Sequence, residues 1–498
     1  MESAHLTRLV HRLDRGDESA PADFVRLLHE QGTPLVESLA DTRDEVLVTF
    51  VYRDAQARRV LVMKGPEDPR DAMLSRVRDT DLWTRSYRMP AEARLTYCFA
   101  PDFPDELPPP EQMAELERKL RADPYNRNRV WTQQSLCELP RAPSSPFTRL
   151  RREVPAGAVH AHTIASARLG DTRNVHVYTP PGFDVTRGPY PLVVLFDGID
   201  YLAAIPTPII LDNLIAQELL PPTIAIFIDP VDRHRELMLD RAFVDVVAQE
   251  IVPFVQRRYH ASADPRANVV GGFSAGGVAA VWSAHLHPDV FGNVLAQSDA
   301  RFPLPNGLDV YESMAREIAN APPRETRFHL EEGHIRPLAT PFRHLLPVLT
   351  AKGNRVTVQT FIGGHHTSSW RVRLGDALVA LLRDARPREI EPRLPTDDVA
   401  IEERGASVTM QVLRAAMIDA DEGALAAFRE ALDAGRDVDA NTLANLGFAL
   451  LYDVAAPRAA VAVFSACAAR FPSPAAQANL DEAQLVLDDR LGAGVSSA

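Results

Sequence analysis

A serine between glycines, at the end of an apolar strand, is the feature that most constrains how this 498-residue chain can fold. Residues 269–277 read VVGGFSAGG, so Ser274 lies in the pattern G-x-S-x-G, and residues 277–284 continue as an apolar helix-forming segment. A strand that turns sharply into a helix holds the serine at strained backbone angles, and the flanking glycines leave room for the crossing. The pattern predicts a nucleophile elbow with Ser274 as the nucleophile.

A loop with two histidines offers a base for this serine. Residues 355–362 alternate like a late strand, and the segment GGHH at 363–366 ends it. In an α/β-hydrolase the triad follows the chain order serine, acid, histidine, and the active site lies at the carboxyl ends of the parallel strands. We therefore expect His365 to be the general base, with His366 as the alternative.

The acid of the triad is expected after another apolar strand. Residues 327–330 predict that strand, and the two carboxylates Glu331 and Glu332 end it. We expect Glu332, nearer the loop, to orient the histidine, with Glu331 as the alternative. A serine–histidine pair without an acid stays open, because the oxyanion hole and substrate positioning retain much of the catalysis when the acid is missing.

A second apolar run predicts where the oxyanion hole lies. Residues 190–196 read YPLVVLF, which is typical of a buried parallel strand, and Asp197 and Gly198 follow at once. We expect the backbone N–H of Gly198 or Ile199 to act together with that of Ala275, each donor contributing about 3 kcal/mol of transition-state stabilisation.

Several motifs occur together in the order found in one known family. They are LFDG at 195–198, IDPVDRHREL at 228–237, GFSAGG at 272–277, GGH at 363–365 with Trp370 and Arg371 after it, and the upstream segments TDLW at 80–83 and DPYN at 123–126. With these motifs the chain, over about residues 20–385, resembles the enterochelin (ferric enterobactin) esterase family, whose catalytic domain is an esterase-D-like α/β-hydrolase.

The resemblance implies a substrate class and its contacts. Members of the family hydrolyse the ester bonds of catecholate trilactone siderophores so that iron is released. By this resemblance Ser274 attacks a lactone carbonyl, Arg233, Arg235 and Trp370 contact the substrate, and ferric iron enters only as part of that substrate, with no cofactor and no protein-bound metal. For Arg235 a local ion pair with Glu236 is the alternative.

One position departs from the family pattern. Members carry a glutamate a few residues past the strand-end glycine, and Arg336 stands there in this chain. The departure leaves the acid, and with it the substrate, open. Two alternatives therefore stay in view: a generic acyl esterase or thioesterase of the same fold, and a non-catalytic adaptor that acts through its C-terminal helices.

Changes of pattern along the chain predict three domains. Short strands broken by proline and glycine predict a β-sandwich over residues 1–140, and alternating strands and helices predict an α/β-hydrolase domain over residues 150–390. An alanine-rich all-α segment at 400–490 resembles a tetratricopeptide repeat. The residues of that pattern are Leu443, Leu446, Gly447, Leu450, Ala460, Phe464 and Pro472. We expect this tail to pack on the hydrolase domain or to bind a protein partner or a second copy of the chain.

Composition excludes several other functions. The net charge is −13, which argues against binding to nucleic acid or to an anionic membrane. The first residues lack the apolar stretch of a signal peptide, and no apolar run is long enough to span a bilayer, so we expect a cytoplasmic protein. The three cysteines are too few and too far apart for a disulfide framework or a zinc site.

Overall fold

The chain forms two compact units in a computed structural model. The structure describes residues 3–495 except 67–71, 105–118, 127, 131–133, 298–303, 305–306, 334–340, 395–398 and 437. The first unit consists of residues 1–144, 333–337 and 362–369, and the second consists of residues 145–332, 338–361 and 370–498. Arg336, the position that departs from the family pattern, lies outside the described residues.

Two four-stranded antiparallel sheets form most of the first unit, with strand orders β1-β2-β5-β4 and β3-β6-β8-β7. Its elements are α1 (Ala4–Leu13), α2 (Ala20–Gln31), β1 (Leu35–Ser38), β2 (Glu45–Arg53), β3 (Val60–Met63), β4 (Ser75–Arg76), β5 (Leu82–Pro90), β6 (Arg94–Pro101), β7 (Arg129–Val130) and β8 (Gln134–Glu138). Side chains from both sheets, among them Phe50, Val62, Trp83 and Tyr97, form one buried cluster. The alternation of the strands therefore buries one face of each sheet in a common core.

The two N-terminal helices cover the other face of the first sheet. Leu9 of α1 and Phe24 and Leu28 of α2 are buried in one cluster with Val51 and Leu82 of the sheet. Apolar residues three and four positions apart place these side chains on one face of each helix. The helices are therefore part of the first unit.

A nine-stranded mixed sheet forms the centre of the second unit, with the order β16-β15-β14-β13-β11-β12-β10-β9-β17. Its strands are β9 (Ala158–Ser166), β10 (Asp171–Thr179), β11 (Leu192–Phe196), β12 (Ile224–Ile228), β13 (Asn268–Phe273), β14 (Asn293–Gln297), β15 (Arg327–Gly333), β16 (Arg355–Phe361) and β17 (Val399–Ala406). The run from β12 through β11, β13 and β14 to β15 is parallel, whereas β10, β9 and β17 extend the sheet antiparallel. The predicted α/β architecture is confirmed, and its sheet is mixed.

Helices cover both faces of this sheet. They are α3 (Gly198–Leu202), α4 (Thr207–Ala216), α5 (Arg233–Glu236), α6 (Arg241–Val246), α7 (Val252–Tyr259), α8 (Ala275–Leu286), α9 (Val310–Asn320), α10 (Leu345–Ala351), α11 (Thr367–Trp370) and α12 (Leu374–Leu382). Helices α6 to α10 bury apolar side chains against one face, and α4 and α12 against the other. Because both faces are covered, every residue of β11 is buried.

The C-terminal helices belong to this second unit. They are α13 (Val408–Asp433, interrupted at Asp419 and Ala420), α14 (Ala440–Phe448), α15 (Pro457–Arg470) and α16 (Pro474–Val495). Their apolar side chains join the same buried cluster as those of α4 and α12. The segment predicted as a tail thus shares a core with the hydrolase sheet. In the described part of the chain, no helix combines the length and the apolar character needed to cross a membrane.

Candidate active site

The turn between β13 and α8 is a strained elbow centred on Ser274. Its backbone angles are φ 53° and ψ −124°, outside the regions that a residue with a side chain normally occupies. The Ser274 N–H donates to the carbonyl of Gln297 on the neighbouring strand at 2.9 Å. A side chain at position 272 would place its Cβ 2.5 Å from the Gly276 carbonyl carbon, so the crossing needs glycine there. The predicted elbow geometry is present.

The residues predicted as oxyanion donors lie at two helix N-termini. Ala275 is the first residue of α8 and Gly198 is the first residue of α3. The first N–H groups of a helix have no partner within the helix, and they lie at the positive end of its dipole. The N–H of Ile199, the alternative to Gly198, instead donates to Oδ1 of Asp229 at 2.8 Å. This hydrogen bond engages Ile199 and favours Gly198 as the donor from this loop.

Arg233 is held beside the elbow by a bidentate ion pair. Its Nε and Nη2 donate to the two carboxylate oxygens of Asp197 at 2.8 and 2.7 Å. The guanidinium carbon lies 5.9 Å from the ring centroid of Phe273, the residue before the serine. The Arg233 side chain keeps 37% of its surface exposed, so it can still meet a ligand. Asp197 therefore orients this cation at the elbow.

Arg235, the second arginine of the same helix, is engaged differently. Its side chain is 55% exposed and lies 3.3 Å from Glu236 and 3.8 Å from Asp232. Glu236 itself is fully buried and bonded to Arg173 at 2.9 Å. The geometry is that of the local ion pair that the sequence left as an alternative.

A buried polar network supports the elbow from below. The ring of Trp370 stacks on that of Phe273 with centroids 4.4 Å apart, and only 3% of Trp370 is exposed. Gln297, at the end of β14, accepts from the Tyr201 hydroxyl at 2.9 Å and donates to the Trp370 carbonyl at 3.2 Å. Trp370 thus packs against the residue before the serine, and its ring is buried in this structure.

Sequence reasoning missed Gln297 and Tyr201. The available signal was a polar residue that closes an otherwise apolar strand, NVLAQ at 293–297. Such a residue at the carboxyl end of a parallel strand lies at the edge where these active sites form.

The two carboxylates of β15 have different surroundings. Glu331 accepts from Nε2 of Gln297 at 2.9 Å and lies 3.5 Å from Nε of Arg373. Strand alternation turns Glu332 to the opposite face of the sheet, where it is 95% buried. Glu331 is therefore part of the network under the elbow, and Glu332 is left as the candidate acid.

The histidine loop belongs to the first unit, whereas the serine belongs to the second. The N–H of Gly364 donates to the Arg94 carbonyl of β6 at 2.9 Å, and the Arg94 N–H donates to the Ile362 carbonyl at 3.1 Å. His365 is exposed, but His366 is buried and its Nδ1 accepts from the Ser368 N–H at 3.1 Å. This hydrogen bond lies within the loop, directly before α11.

Carboxyl groups surround the start of α3. Burial, together with the neighbouring carboxylates of Asp197, Asp229 and Asp453, raises the pKa of Asp200 to about 7. Burial likewise raises the pKa of Asp229 to about 7, although the Ile199 N–H opposes that rise. Among the described residues, no group of three or more histidine, cysteine or acidic side chains is arranged to hold a metal ion.

The covered sheet and the elbow define an esterase of the α/β-hydrolase type, and comparisons with known proteins give the family. The Esterase family model matches residues 166–381, and the model for the enterochelin esterase N-terminal domain matches residues 47–147. The iron(III) enterobactin esterase of Dickeya dadantii is 30% identical and aligns over 78% of this chain and 98% of its own length. The iron(III) salmochelin esterase of Escherichia coli is 26% identical over 75% and 96%.

Solved structures agree with these relatives. The enterobactin esterase from Shigella flexneri, crystallised in the presence of enterobactin, is 27% identical with a TM-score of 0.56 and covers 70% of this chain and 96% of its own. The ferric enterobactin esterase from Salmonella typhimurium gives 27% identity, a TM-score of 0.57, and coverage of 70% and 97%. The chain belongs to the iron(III) enterobactin esterase family and hydrolyses ester bonds. Neither family model reaches beyond residue 381, so the C-terminal helices lie outside both.

Proposed function

We propose that this protein is a serine esterase that opens the lactone ring of a catecholate trilactone siderophore and so permits release of its iron. The observation that carries the proposal is the strained elbow of Ser274 at the N-terminus of α8, in a chain of this family. Relatives named for enterobactin and salmochelin support the substrate class.

The proposed reaction has two halves. His365 takes the proton of Ser274 as Oγ attacks the lactone carbonyl carbon, and the N–H groups of Gly198 and Ala275 stabilise the resulting oxyanion. The C–O bond then breaks and His365 returns the proton to the departing seryl hydroxyl. Water repeats the sequence on the acyl-enzyme, which releases a carboxylic acid and restores Ser274.

Chain connectivity supports His365 as the base. Phe361 ends β16 in the second unit, and Trp370 stacks on Phe273 in the same unit. The histidine loop is thus tied to the second unit at both ends, with Trp370 only five residues after His365. The contacts of His366 within its own loop favour His365 over it.

We propose Glu332 as the acid that orients His365 and Arg233 as the cation that meets the catecholate. Burial of Glu332 supports the first role, because a buried carboxylate is effective at stabilising an imidazolium. The exposed part of the Arg233 guanidinium supports the second.

We also propose finer descriptions of the two flanking regions. The shared core of the two N-terminal sheets supports a β-sandwich. The helix pairs of the C-terminal segment support a tetratricopeptide-like arrangement, used here to complete the hydrolase unit.

A fluorophosphonate probe tests the nucleophile. We expect the probe to label the purified chain and not the Ser274→Ala variant. Equal labelling of both proteins would show that Ser274 is not the nucleophile. Time courses with iron-free enterobactin, its ferric complex and simple aryl esters then test the substrate. A preference of several orders of magnitude for aryl esters would favour a generic esterase, and a chain that neither binds the probe nor cleaves any ester would favour an adaptor.

A further inference from the structure

The turn after β11, residues 197–200, carries three successive backbone N–H groups whose partners can be accounted for. The N–H of Asp200 donates to the Asp197 carbonyl at 3.1 Å, and the N–H of Ile199 donates to Oδ1 of Asp229 at 2.8 Å. The N–H of Gly198 has no hydrogen-bond partner among the residues that the structure describes. The turn therefore leaves one donor free, and a side chain from another strand engages the donor next to it.

The aspartate within the turn does not take this part. Asp197 adopts a left-handed conformation, φ 56° and ψ 53°, and its side chain makes no hydrogen bond to the N–H groups that follow it. An aspartate in a turn often accepts from the backbone two residues on. Here both carboxylate oxygens accept from Arg233 instead, at 2.8 and 2.7 Å. The acceptor for Ile199 is therefore supplied by Asp229.

The pairing of two strands brings Asp229 to this place. Strands β11 and β12 run parallel, and their last residues, Phe196 and Ile228, pair with each other. Asp229 follows directly, and its carboxylate meets the turn just beyond the end of β11. Gly198 passes so close to β12 that a Cβ there would lie 2.6 Å from the nitrogen of Ile228 and 2.6 Å from the carbonyl carbon of Phe227. The backbone of β12 and the Asp229 side chain thus both hold the turn.

We propose that Asp229 is a positioning residue of the oxyanion hole, which holds the Ile199 N–H and thereby aims the neighbouring Gly198 N–H at the oxyanion. The inference rests on the proposed function, in which Gly198 is one of the two donors. Asp229 acts through the peptide backbone and touches no reacting atom. Its role follows from geometry, because an oxyanion donor is effective only within hydrogen-bond distance of the place where the charge develops.

Loss of this acceptor affects the transition state more than the bound substrate. The oxyanion donors stabilise charge that develops on the carbonyl oxygen as the serine attacks, and the ground-state carbonyl carries much less of that charge. Without Asp229 the Ile199 N–H has to find another partner, and the turn that carries Gly198 is free to rotate. We therefore expect a fall in kcat with little change in KM.

Kinetics with enterobactin on the full-length chain test the proposal. Asp229→Leu removes the acceptor and keeps a side chain of similar length, and we expect it to lower kcat by about 10- to 100-fold, less than the loss of a whole donor. Asp229→Asn keeps an oxygen that can accept from the Ile199 N–H, so we expect it to restore kcat to near the wild-type value.

A fluorophosphonate probe gives a second readout that needs no siderophore contact. Phosphonylation of Ser274 also develops negative charge on an oxygen in the oxyanion hole. We therefore expect the rate of labelling to fall in Asp229→Leu and to recover in Asp229→Asn, in parallel with kcat. A residue that only stabilises the fold would change the thermal midpoint without this parallel.

Asp184→Ala is the matched control. Asp184 also accepts a backbone N–H, from Thr186 at 2.9 Å, but it lies in the loop before β11, whereas the turn that carries Gly198 follows β11. We expect this variant to keep the wild-type kcat and the wild-type rate of labelling.

A second variant, Asp229→Ala, takes the place of Asp229→Leu if that chain folds poorly. Wild-type kcat and labelling in a folded variant without the acceptor overturn the inference, and so does an Asp229→Asn chain as impaired as Asp229→Leu. A rise in KM alone also overturns it, because Asp229 would then be a substrate contact. In each of these cases the wild type still cleaves its ester, so the proposed function stands. A wild-type chain that neither reacts with the probe nor cleaves enterobactin overturns both.

Discussion

At the scale of single residues, the sequence predicts the nucleophilic serine but not the buried residues whose hydrogen bonds stabilise its turn. Ser274 was found because G-x-S-x-G after an apolar strand has a backbone consequence that the sequence displays. Gln297 and Tyr201 support it through one hydrogen bond at 2.9 Å between positions 96 residues apart. A contact of that kind is created by the fold, and no local spacing displays it. The sequence likewise left both Glu332 and Glu331 as candidates for the acid. The structure distinguishes them, because strand alternation places their side chains on opposite faces of the sheet.

The two glutamates give a matched pair of variants. We expect Glu332→Gln to lower kcat by on the order of 10- to 10^4-fold with little change in thermal midpoint, because the histidine loses its orienting carboxylate. Glu331→Gln should affect the midpoint more than kcat, since Glu331 accepts from Gln297 within the buried network. Steady-state kinetics and thermal unfolding of both variants check this. A normal kcat in Glu332→Gln would contradict the assignment of the acid.

Asp200 predicts a pH dependence of stability. Its folded-state pKa of about 7 lies above that of an unfolded aspartate, so the folded chain holds more protons between about pH 4 and pH 7. Stability from this group therefore falls as pH rises through that window. Burial raises the pKa of Asp200 most, the carboxyl groups of Asp197, Asp229 and Asp453 raise it further, and Arg233 opposes the rise.

The Asp200→Asn variant isolates that effect. We expect the urea midpoint of the variant minus that of the wild type to be larger at pH 8 than at pH 5. The reason is that the asparagine has no charge to bury at pH 8. Comparing the two chains at each pH cancels the other titrating groups. If the urea midpoints of the variant and the wild type differ by the same amount at every pH from 5 to 8, titration of Asp200 does not affect stability.

At the scale of elements, the strands before and after the elbow were predicted well because parallel buried strands are apolar throughout. The histidine loop differs: its sequence showed two glycines and two histidines, but its backbone partner is Arg94, far away in the chain. The extension of the sheet by β17 was also not predictable, since Val399–Ala406 is polar and mostly exposed. An edge strand has only a weak apolar pattern in its sequence. Such a strand is therefore recognised from its hydrogen-bonded pairing in the structure and not from the periodicity of its sequence.

Docking of the histidine loop on β6 can be tested at a single position. Gly364→Pro removes the N–H that donates to the Arg94 carbonyl, and we expect kcat/KM to fall by about 10-fold or more because the general base loses its position. Gly364→Ala is the matched control, since its Cβ would make an ordinary 3.5 Å contact with Leu95 and keep the N–H. Equal activity of the two variants would exclude a positioning role for this bond.

At the scale of the whole molecule, the predicted boundary near residue 400 did not anticipate how the C-terminal segment is held. Asp212, 96% buried, takes hydrogen bonds from the Gly157 N–H and the Tyr178 hydroxyl, and its cation is Arg414 from the C-terminal segment. Composition identified the segment as a separate helical region because its alanine content changes there. Composition could not reveal that Arg414 of this segment neutralises a buried carboxylate of the hydrolase domain.

Removal of the Arg414 cation is expected to destabilise the folded chain. We expect Arg414→Ala to lower the free energy of unfolding by about 3 kcal/mol, because it leaves the Asp212 carboxylate buried without its counter-charge. Arg429→Ala, an exposed position on the same helix, should change it by less than about 0.5 kcal/mol. Urea denaturation of both variants measures the difference. The paired change Arg414→Met with Asp212→Asn should recover most of the loss, and similar values for Arg414→Ala and Arg429→Ala would contradict this account.

Strand β17 also decides how copies of this chain can meet. It occupies the flank of β9, which would otherwise present open backbone donors and acceptors, and it ends the ladder with the charged run Glu402, Glu403 and Arg404 and a bulge before Gly405. Charges and bulges on a terminal strand discourage further strand addition. On this flank further strand addition is disfavoured, so we expect any association through the C-terminal segment to use its helices.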